Sequence, residues 1–481
     1  MNILYIGSGF VGACSAAVSA DSGHQTLVYD VDKRKIELLS SGDRDTIQSC
    51  LFEEGLGDLI IRNHDKIRFT TDYNQVVDFL TDCDAVFMCL PTPEIGETGE
   101  SDLSFYFSAA EKLSHSLLKR NNSDQKQYIV IVNKSTVPVD MVDKTQEIME
   151  KAGVKNFGVV SNPEFLVEGK AIQGSLHPDR VVVGAWQEKD FQIMRQIYQR
   201  FVNAANIQYV EVNPKEAAAG KLLANFTLFN KLAICFDVIG RTCETFSDLS
   251  FENLRKILIT DPRIGSWGLY DSLYAGGSCF IKDARSLAHQ LQTAGQNATL
   301  VNETYLANRR QLELFLGRAE KEVLRPAQDK TKFDWTGKTV ALLGLAFKQG
   351  TNDTRNSPSI DIVNFLLEKQ VGEIRCYDPA AMEWFEKIFQ EPKQIKYCKS
   401  EAECLSRRIP PLTPLRGGNS EPDVVIIATD WPQFRGVGDL LLKLKNRPLV
   451  MDGRRILQHQ YDDLIKNGFI VIAVGSPLKK L

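Results

Sequence analysis

The chain has no C-x-x-C pair, and its ten cysteines fall at no zinc-ligand spacing with its six histidines. That argues against a zinc ribbon, a finger or a thioredoxin-type redox motif, and no metal site is expected. No uninterrupted run of about eighteen apolar residues occurs, so no membrane span or membrane partner is expected. Positive charge is not in excess, with a formal net charge of −4. The footprint of a nucleic-acid partner is therefore lacking, and an anionic ligand would need a local basic cluster. No basic segment precedes the first apolar stretch, so the amino terminus does not read as a signal peptide. Unpaired cysteines without an export signal place the expected location in the reducing cytoplasm.

What is present is ordinary for a globular enzyme: 481 residues, 43% hydrophobic and 25% charged. That length exceeds what one core supports, and two or three domains are expected. Short β-branched runs at 2–6, 26–29, 85–89, 128–132, 158–160 and 180–183 alternate with helical stretches, the pattern of a doubly wound parallel sheet. Residues 214 to about 245 then read as one long helix. A polar joint at 325–330 precedes a second alternating set, with strands at 339–343, 374–377, 424–428, 449–451 and 469–474. Ser357-Pro358 is a helix start with proline at the first position. The fold class is α/β: two Rossmann-like doubly wound domains, 1–205 and 326–481, joined by a long central helix and a helical middle domain, 206–325. Residues 406–422, rich in proline and glycine, read as an exposed loop without chemistry.

Gly7-Ser8-Gly9-Phe10-Val11-Gly12 follows the first strand at once and opens a helix of small residues, 13–20. In that context G-x-G-x-x-G is a dinucleotide fingerprint. Gly7 makes the tight turn, Gly9 lets the backbone approach a pyrophosphate, and Gly12 lets helix and strand pack closely. The helix amino terminus faces the phosphates. Asp30, eighteen residues after Gly12, is placed to accept from ribose hydroxyls and to repel a 2′-phosphate. NAD is thus favoured over NADP, although the basic segment Lys33-Arg34-Lys35 runs against this.

The stretch Gly276-Gly277-Ser278-Cys279-Phe280-Ile281-Lys282-Asp283 carries the most chemistry. A cysteine after small residues, ahead of a helix from about Asp283, lies near a helix amino terminus, where a reactive thiolate is favoured. A lone cysteine beside a glycine turn is more often a packing thiol, as expected of Cys14, Cys83, Cys89, Cys235 and Cys376. Lys221 and Asn225, spaced i, i+4, share one face of the long helix and offer an ammonium and an amide to an oxyanion. Alone, such a pair is more often a solvated face. In 161–169, Glu164 and Glu168 flank apolar residues, and part-buried carboxylates serve as general bases. Residues 133–138, Asn-Lys-Ser-Thr-Val-Pro, end a strand on the edge where ligands of such sheets lie.

Taken in order, these stretches resemble the UDP-glucose/GDP-mannose dehydrogenase family over essentially the whole chain. The carriers are G-S-G-F-V-G at 7–12, K-S-T-V-P at 134–138, N-P-E-F-L-x-E-G at 162–169, K-L-x-A-N at 221–225 and D-P-R-I-G at 261–265. G-G-S-C-F-x-K-D at 276–283, G-L-A-F-K at 344–348, D-T-R-N-S-P at 353–358 and D-G-R-R at 452–455 complete them. The resemblance implies an NAD domain, a central helix and a carboxyl-terminal domain for the UDP half of a nucleotide sugar. It implies NAD-dependent four-electron oxidation of UDP-glucose to UDP-glucuronate through aldehyde, thiohemiacetal and thioester on Cys279. Relatives acting on UDP-N-acetylmannosamine typically show G-G-x-C-[IL]-P instead.

By position the resemblance implies that Cys279, Lys221, Asn225, Asp283, Glu164 and Thr136 are catalytic. Asp283, Lys221 or a bound water stay open as the first base, and Glu164, through Thr136, is the activator of the hydrolytic water. Cofactor contacts fall to Gly7, Gly9, Phe10, Val11, Gly12, Asp30, Lys35, Thr92, Thr136, Glu168, Lys282 and Arg355. Substrate contacts fall to Glu164, Phe165, Leu166, Lys221, Asn225, Arg263, Gly276, Phe280, Phe347, Lys348 and Arg454, with Arg455 beside it. The arginine of D-P-R-I-G reaches a neighbouring subunit in this family, so a homo-oligomer, dimer or higher, is implied. One departure concerns G-F-G-G-S-C, which here reads Tyr274-Ala275-Gly276-Gly277-Ser278-Cys279, and residues 266–270 are also unlike common members. The same chemistry on UDP-N-acetylmannosamine or GDP-mannose is therefore an alternative. More remote are a two-electron β-hydroxyacid-type dehydrogenase and a non-catalytic NAD-binding sensor.

Overall fold

The computed structural model describes residues 1–121, 128–246, 248–270, 272–323, 333–405 and 421–479; the polar joint at 325–330 and residues 406–420 lie outside the described residues. The chain forms two compact units, one of Met1–Asn225 with Arg285–Ala298, the other of Phe226–Ala284 with Thr299–Leu481.

In the first unit eight strands form one sheet: β1 (Asn2–Ile6), β2 (Gln25–Tyr29), β3 (Ile67–Thr70), β4 (Ala85–Met88), β5 (Ile129–Asn133), β6 (Phe157–Ser161), β7 (Arg180–Gly184) and β8 (Gln208–Val212). Their order is β3-β2-β1-β4-β5-β6-β7-β8, so the winding reverses between β1 and β4. Alternate residues of one strand enter opposite layers. Ile3, Tyr5, Val130 and Val132 pack with Ala13, Ala16 and Ala17, whereas Leu4, Ile6, Ile129 and Ile131 pack with Tyr106 and Leu113. Helices on both faces explain why β4 and β5 are buried throughout and read as continuous apolar runs. The sheet is not wholly parallel. β6 and β7 meet antiparallel through one pair, Ser161 and Gly184, and the Asn162 side-chain amide bridges to the Val182 carbonyl at 2.7 Å.

In the second unit six strands, β9 (Thr339–Leu343), β10 (Glu373–Tyr377), β11 (Ile395–Tyr397), β12 (Val424–Ile427), β13 (Leu449–Asp452) and β14 (Val471–Ala473), run parallel in the order β11-β10-β9-β12-β13-β14. Leu312, Phe315, Leu316 and Ala319 of helix Thr299–Glu322 pack in the same core as Val340, Leu342 and Trp335.

Helix Pro214–Ala233 continues through a π-helical stretch, Ile234–Gly240, into Arg241–Thr245. By length and composition alone this 32-residue helix is apolar enough to cross a membrane, its most apolar stretch of 18 residues having a mean hydropathy of 1.5. The lack of an unbroken apolar run had pointed the other way. A core helix of a globular protein passes the same test, and Lys221 and Asn225 are buried on this one.

Strands β3, β8 and β11 were not expected, and all three lie at a sheet edge. An edge strand is covered less completely, so its residues are mixed in polarity: β8 is Gln-Tyr-Val-Glu-Val with no buried position.

Arg318 ties the second unit together. Its guanidinium, 6% exposed, pairs with Glu322 at 2.8 Å and Glu244 at 3.2 Å. It also donates to the carbonyls of Ala473 and Ser476, both at 2.8 Å, so helix Thr299–Glu322 and the segment around β14 share one charge. Arg318→Met strands the Glu322 carboxylate and two carbonyls, while Glu244 keeps Arg241 and the Gly475 amide, and is expected to cost roughly 3–5 kcal/mol. The check is the urea midpoint of unfolding; an unchanged midpoint contradicts the assignment.

Candidate active site

The first unit carries the dinucleotide loop at the switch point between β1 and β4. Gly7 has φ +103°, and a Cβ there would lie 2.2 Å from the Cys89 carbonyl oxygen. A Cβ at Gly12 would lie 2.0 Å from the Gly7 oxygen, which excludes any side chain, whereas nothing lies within 4 Å of one at Gly9. Helix Phe10–Asp21 starts directly after Gly9, and no side chain caps its first N–H groups. Those donors, with Phe10 and Val11 in the first turn, fit an incoming pyrophosphate. Asp30 follows β2 and accepts from the Ser8 amide and hydroxyl, both at 2.7 Å, and from the Asp32 amide at 2.9 Å. Burial pushes its carboxyl up, but the Asp32 and Ser8 hydrogen bonds and the nearby Lys35 ammonium outweigh that and hold it below the usual range. Lys35 lies 3.8 Å away. The residues present fit NAD.

The loops after β4 and β5 are stitched together. The Ser135 hydroxyl bonds the Leu90 amide and carbonyl, both at 2.7 Å, and the Thr92 hydroxyl donates to the Thr136 carbonyl at 2.8 Å. On the loop after β6, Glu164 accepts from the Leu166 amide at 2.5 Å and pairs with Lys221 at 3.1 Å. Both side chains are at least nine-tenths buried. The Phe165 ring lies 3.8 Å from the Arg180 guanidinium and 5.4 Å from Lys221. Glu164, Phe165, Leu166 and Arg180 line a cavity of about 330 Å³ with Lys134, Asn162 and Tyr198. Asn225 is buried one helical turn beyond Lys221, and Glu168 is half-buried. Sequence reasoning attached no role to Lys134, Asn162 or Tyr198; a lysine closing the apolar strand Ile129–Asn133 was the available signal.

Helix Cys279–Thr293, whose first turn to Ala284 belongs to the second unit, begins at the cysteine itself, one turn earlier than the expected start near Asp283. Cys279 therefore occupies the first helical position and is only half-buried, and Asp283 lies one turn on, buried, with Lys282 2.5 Å from its carboxylate. The preceding glycines are set by a distant loop. A Cβ at Gly276 would fall 2.5 Å from the Asn356 oxygen and 2.9 Å from Phe347 Cβ; one at Gly277, where φ is +83°, would fall 2.9 Å from the Phe347 ring. The Gly277 amide donates to the Arg355 carbonyl at 3.1 Å, and Asn356 Nδ2 donates to the Gly277 carbonyl at 3.1 Å. The thiol-bearing turn is thus built onto the loop after β9 that carries Phe347 and Lys348. Phe280 stacks on Phe229 with centroids 6.3 Å apart and meets Trp267 edge-on.

Basic residues of this unit divide in two. Arg454 pairs with Asp430 at 2.8 Å, and Arg263 is 87% exposed beside Asp261. Arg455 is committed inward, donating to the Val474 and Gly475 carbonyls and the Ser476 hydroxyl. Arg355 chelates Asp353 with Nε at 2.9–3.0 Å. The departure at 274–275 is absorbed by packing: Tyr274 is buried and donates to Asp361 at 2.9 Å, and Asn308 bonds both backbone groups of Ala275. Among the described residues no group of side chains is arranged to hold a metal ion.

Three family models match the chain in order. The NAD binding domain of the UDP-glucose/GDP-mannose dehydrogenase family covers residues 1–202, its central domain 215–310, and its UDP binding domain 341–459. UDP-glucose 6-dehydrogenase AglM of Haloferax volcanii is 32% identical over 97% of this chain and 100% of its own length. UDP-glucose 6-dehydrogenase of Pseudomonas aeruginosa is 30% identical over 99% and 98%. A UDP-glucose dehydrogenase from Pyrobaculum islandicum has the same fold, with a TM-score of 0.78 and 26% identity over 95% of both chains. A UDP-D-ManNAc dehydrogenase from Pyrococcus horikoshii, 22% identical, shares that fold with a TM-score of 0.78. With its glycine loop, its thiol turn and all three models in register along its length, the chain belongs to the UDP-glucose/GDP-mannose dehydrogenase family.

Proposed function

We propose that this protein oxidises the C6 alcohol of UDP-glucose to the carboxylate of UDP-glucuronate, with Cys279 as covalent nucleophile. One observation carries the reading: a half-buried thiol stands at the first position of a helix, on a turn packed against the loop of Phe347 and Lys348. Cys50 and Cys89 are half-buried as well, but neither opens a helix. Burial pushes the Cys89 thiol up to about 12 and raises Cys14, Cys376 and Cys50. The names of the two relatives from Haloferax volcanii and Pseudomonas aeruginosa point to the same substrate.

NAD, held by the Gly7–Gly12 loop and Asp30, supplies the hydride acceptor for two successive oxidations. An aldehyde does not readily give up its hydride until a nucleophile adds to its carbonyl. The Cys279 thiolate adds, and the tetrahedral thiohemiacetal is oxidised to a thioester. Lys221 and Asn225 are the donors for the oxyanions that develop at this carbon. Glu164 takes a proton from the water that attacks the thioester, releasing the acid and restoring the thiol. Lys348 and Arg454 hold the diphosphate, and Phe165 and Phe280 border the sugar. The free cysteines fit a reducing cytoplasm. Exposed Ile234 and Val238, one turn apart on the long helix, with Ile257 and Phe246, fit a homo-oligomer, dimer or higher.

Two NADH per UDP-glucose are expected, with far weaker turnover of UDP-N-acetylmannosamine and GDP-mannose; one NADH per sugar would reduce the enzyme to a two-electron dehydrogenase. Cys279→Ser is expected to lower acid formation by about three orders of magnitude while keeping nucleotide-sugar binding. Normal uronate yield from that variant would defeat the covalent route. Lys221→Ala is expected to lower kcat by about 10²–10³-fold with little change in KM, because an oxyanion donor acts mainly in the transition state. Steady-state kinetics check this, and an effect confined to KM contradicts it.

A further inference from the structure

Lys134 follows β5 and is buried, yet its hydrogen-bond partners are neutral. Its ammonium donates to Asn162 Oδ1 at 3.0 Å and the Tyr198 hydroxyl at 3.4 Å. Tyr198 also donates to Asn162 Oδ1 at 2.5 Å, and Asn162 is anchored to the Val182 carbonyl. These side chains line the same cavity as Glu164, two residues along from Asn162. A buried cation without a hydrogen-bonded carboxylate is costly, and such a cost is retained where the charge serves a purpose.

We propose that Lys134 is a positioning residue for the thioester-hydrolysing step, its ammonium acting with that of Lys221 to hold the Glu164 carboxylate in its place at the cavity wall. The proposal rests on the reading above in which Glu164 activates water. Every charged or titratable group near Lys134 enters. Burial, reinforced by the Lys221 ammonium and partly offset by the Glu164 carboxylate, pulls the ammonium down to about 8. Cys89, up at about 12, is a neutral thiol at working pH, and burial keeps the Tyr198 and Tyr5 hydroxyls protonated. Lys134 is therefore charged below about pH 8 and loses its charge above it, and the positioning is lost in the same direction. An arginine stays charged throughout.

The experiment compares wild type, Lys134→Met and Lys134→Arg by steady-state rate against pH and by intact mass of acid-quenched enzyme during turnover. Lys134→Met is expected to form its first NADH at the wild-type rate, to accumulate the thioester and to lose about tenfold in kcat. The fall in wild-type rate centred near pH 8 should be missing from its profile. Lys134→Arg is expected to keep the rate and to hold it through pH 9, without the fall near pH 8. A Lys134→Arg profile superimposable on wild type overturns the proposal, even if Lys134→Met fails to fold. Glu164→Gln run alongside separates the two ideas. If it accumulates thioester while the Lys134 variants behave as wild type, this proposal alone fails; if it accumulates none, the reading of Glu164 fails and takes this one with it.

Discussion

A sheet covered by helices on both faces has only its strand ends left for chemistry, and both units of this chain obey that constraint. In the first, β4 and β5 are buried throughout, so the polar residues that matter begin where those strands stop. Ser135 then ties the loop after β5 to the loop after β4, and Thr92 repeats the tie at Thr136. Glu164 follows β6 in the same way. The rigid part of the structure fixes where each loop leaves the sheet, and short hydrogen bonds between neighbouring loops fix the rest.

The cost of placing charge at these buried edges is met in different ways. Asp30 is surrounded by amides, a hydroxyl and a lysine, and those donors more than offset its desolvation. Glu164 has its own loop amide and Lys221. Lys134 has an amide oxygen and a phenol, and it is this group whose charge burial pulls into the neutral range. In the second unit Arg318 meets two carboxylates and two carbonyls, an arrangement that satisfies its donors.

Features governed by neighbours in sequence were legible in advance. The Gly7–Gly12 loop, Asp30 at the end of β2 and the Ser357-Pro358 helix start depend on residues close together in the chain, and β-branched runs marked the covered strands. What escaped depends on partners far away. Gly276 and Gly277 read as a tight turn, but they are glycines because Phe347 and Asn356, some seventy to eighty residues on, leave no room for a Cβ. Lys134 read as a member of a motif; its meeting with Asn162 and Tyr198 spans 28 and 64 residues. Strands β3, β8 and β11 escaped for a different reason, since edge positions do not demand the apolar run that betrays a covered strand.

The two sheets share a winding pattern and yet cannot serve the same ligand, and the difference lies in their first helices. In the first unit the helix starts three residues after Gly7, and Gly9 offers no side chain to cap it, so its leading N–H groups remain for phosphate oxygens. In the second unit Gly344 makes the corresponding turn, with φ +96° and Thr429 packed against it, but the helix does not begin until Pro358. There the Ser357 side chain accepts from the Ser359 amide, and the Ser359 hydroxyl donates to the Gly344 carbonyl at 2.6 Å. Asp378, in the place that Asp30 holds, accepts from the Leu345 and Ala346 amides. Donors that would cradle a pyrophosphate are consumed by the protein itself. A nucleotide bound by this unit must find its positive charge in side chains, and the long loop between Gly344 and Pro358 provides Lys348 while β13 leads to Arg454. The same loop seats the glycines in front of Cys279, so one insertion into a dinucleotide-type sheet removes the cradle and builds the support for the thiol.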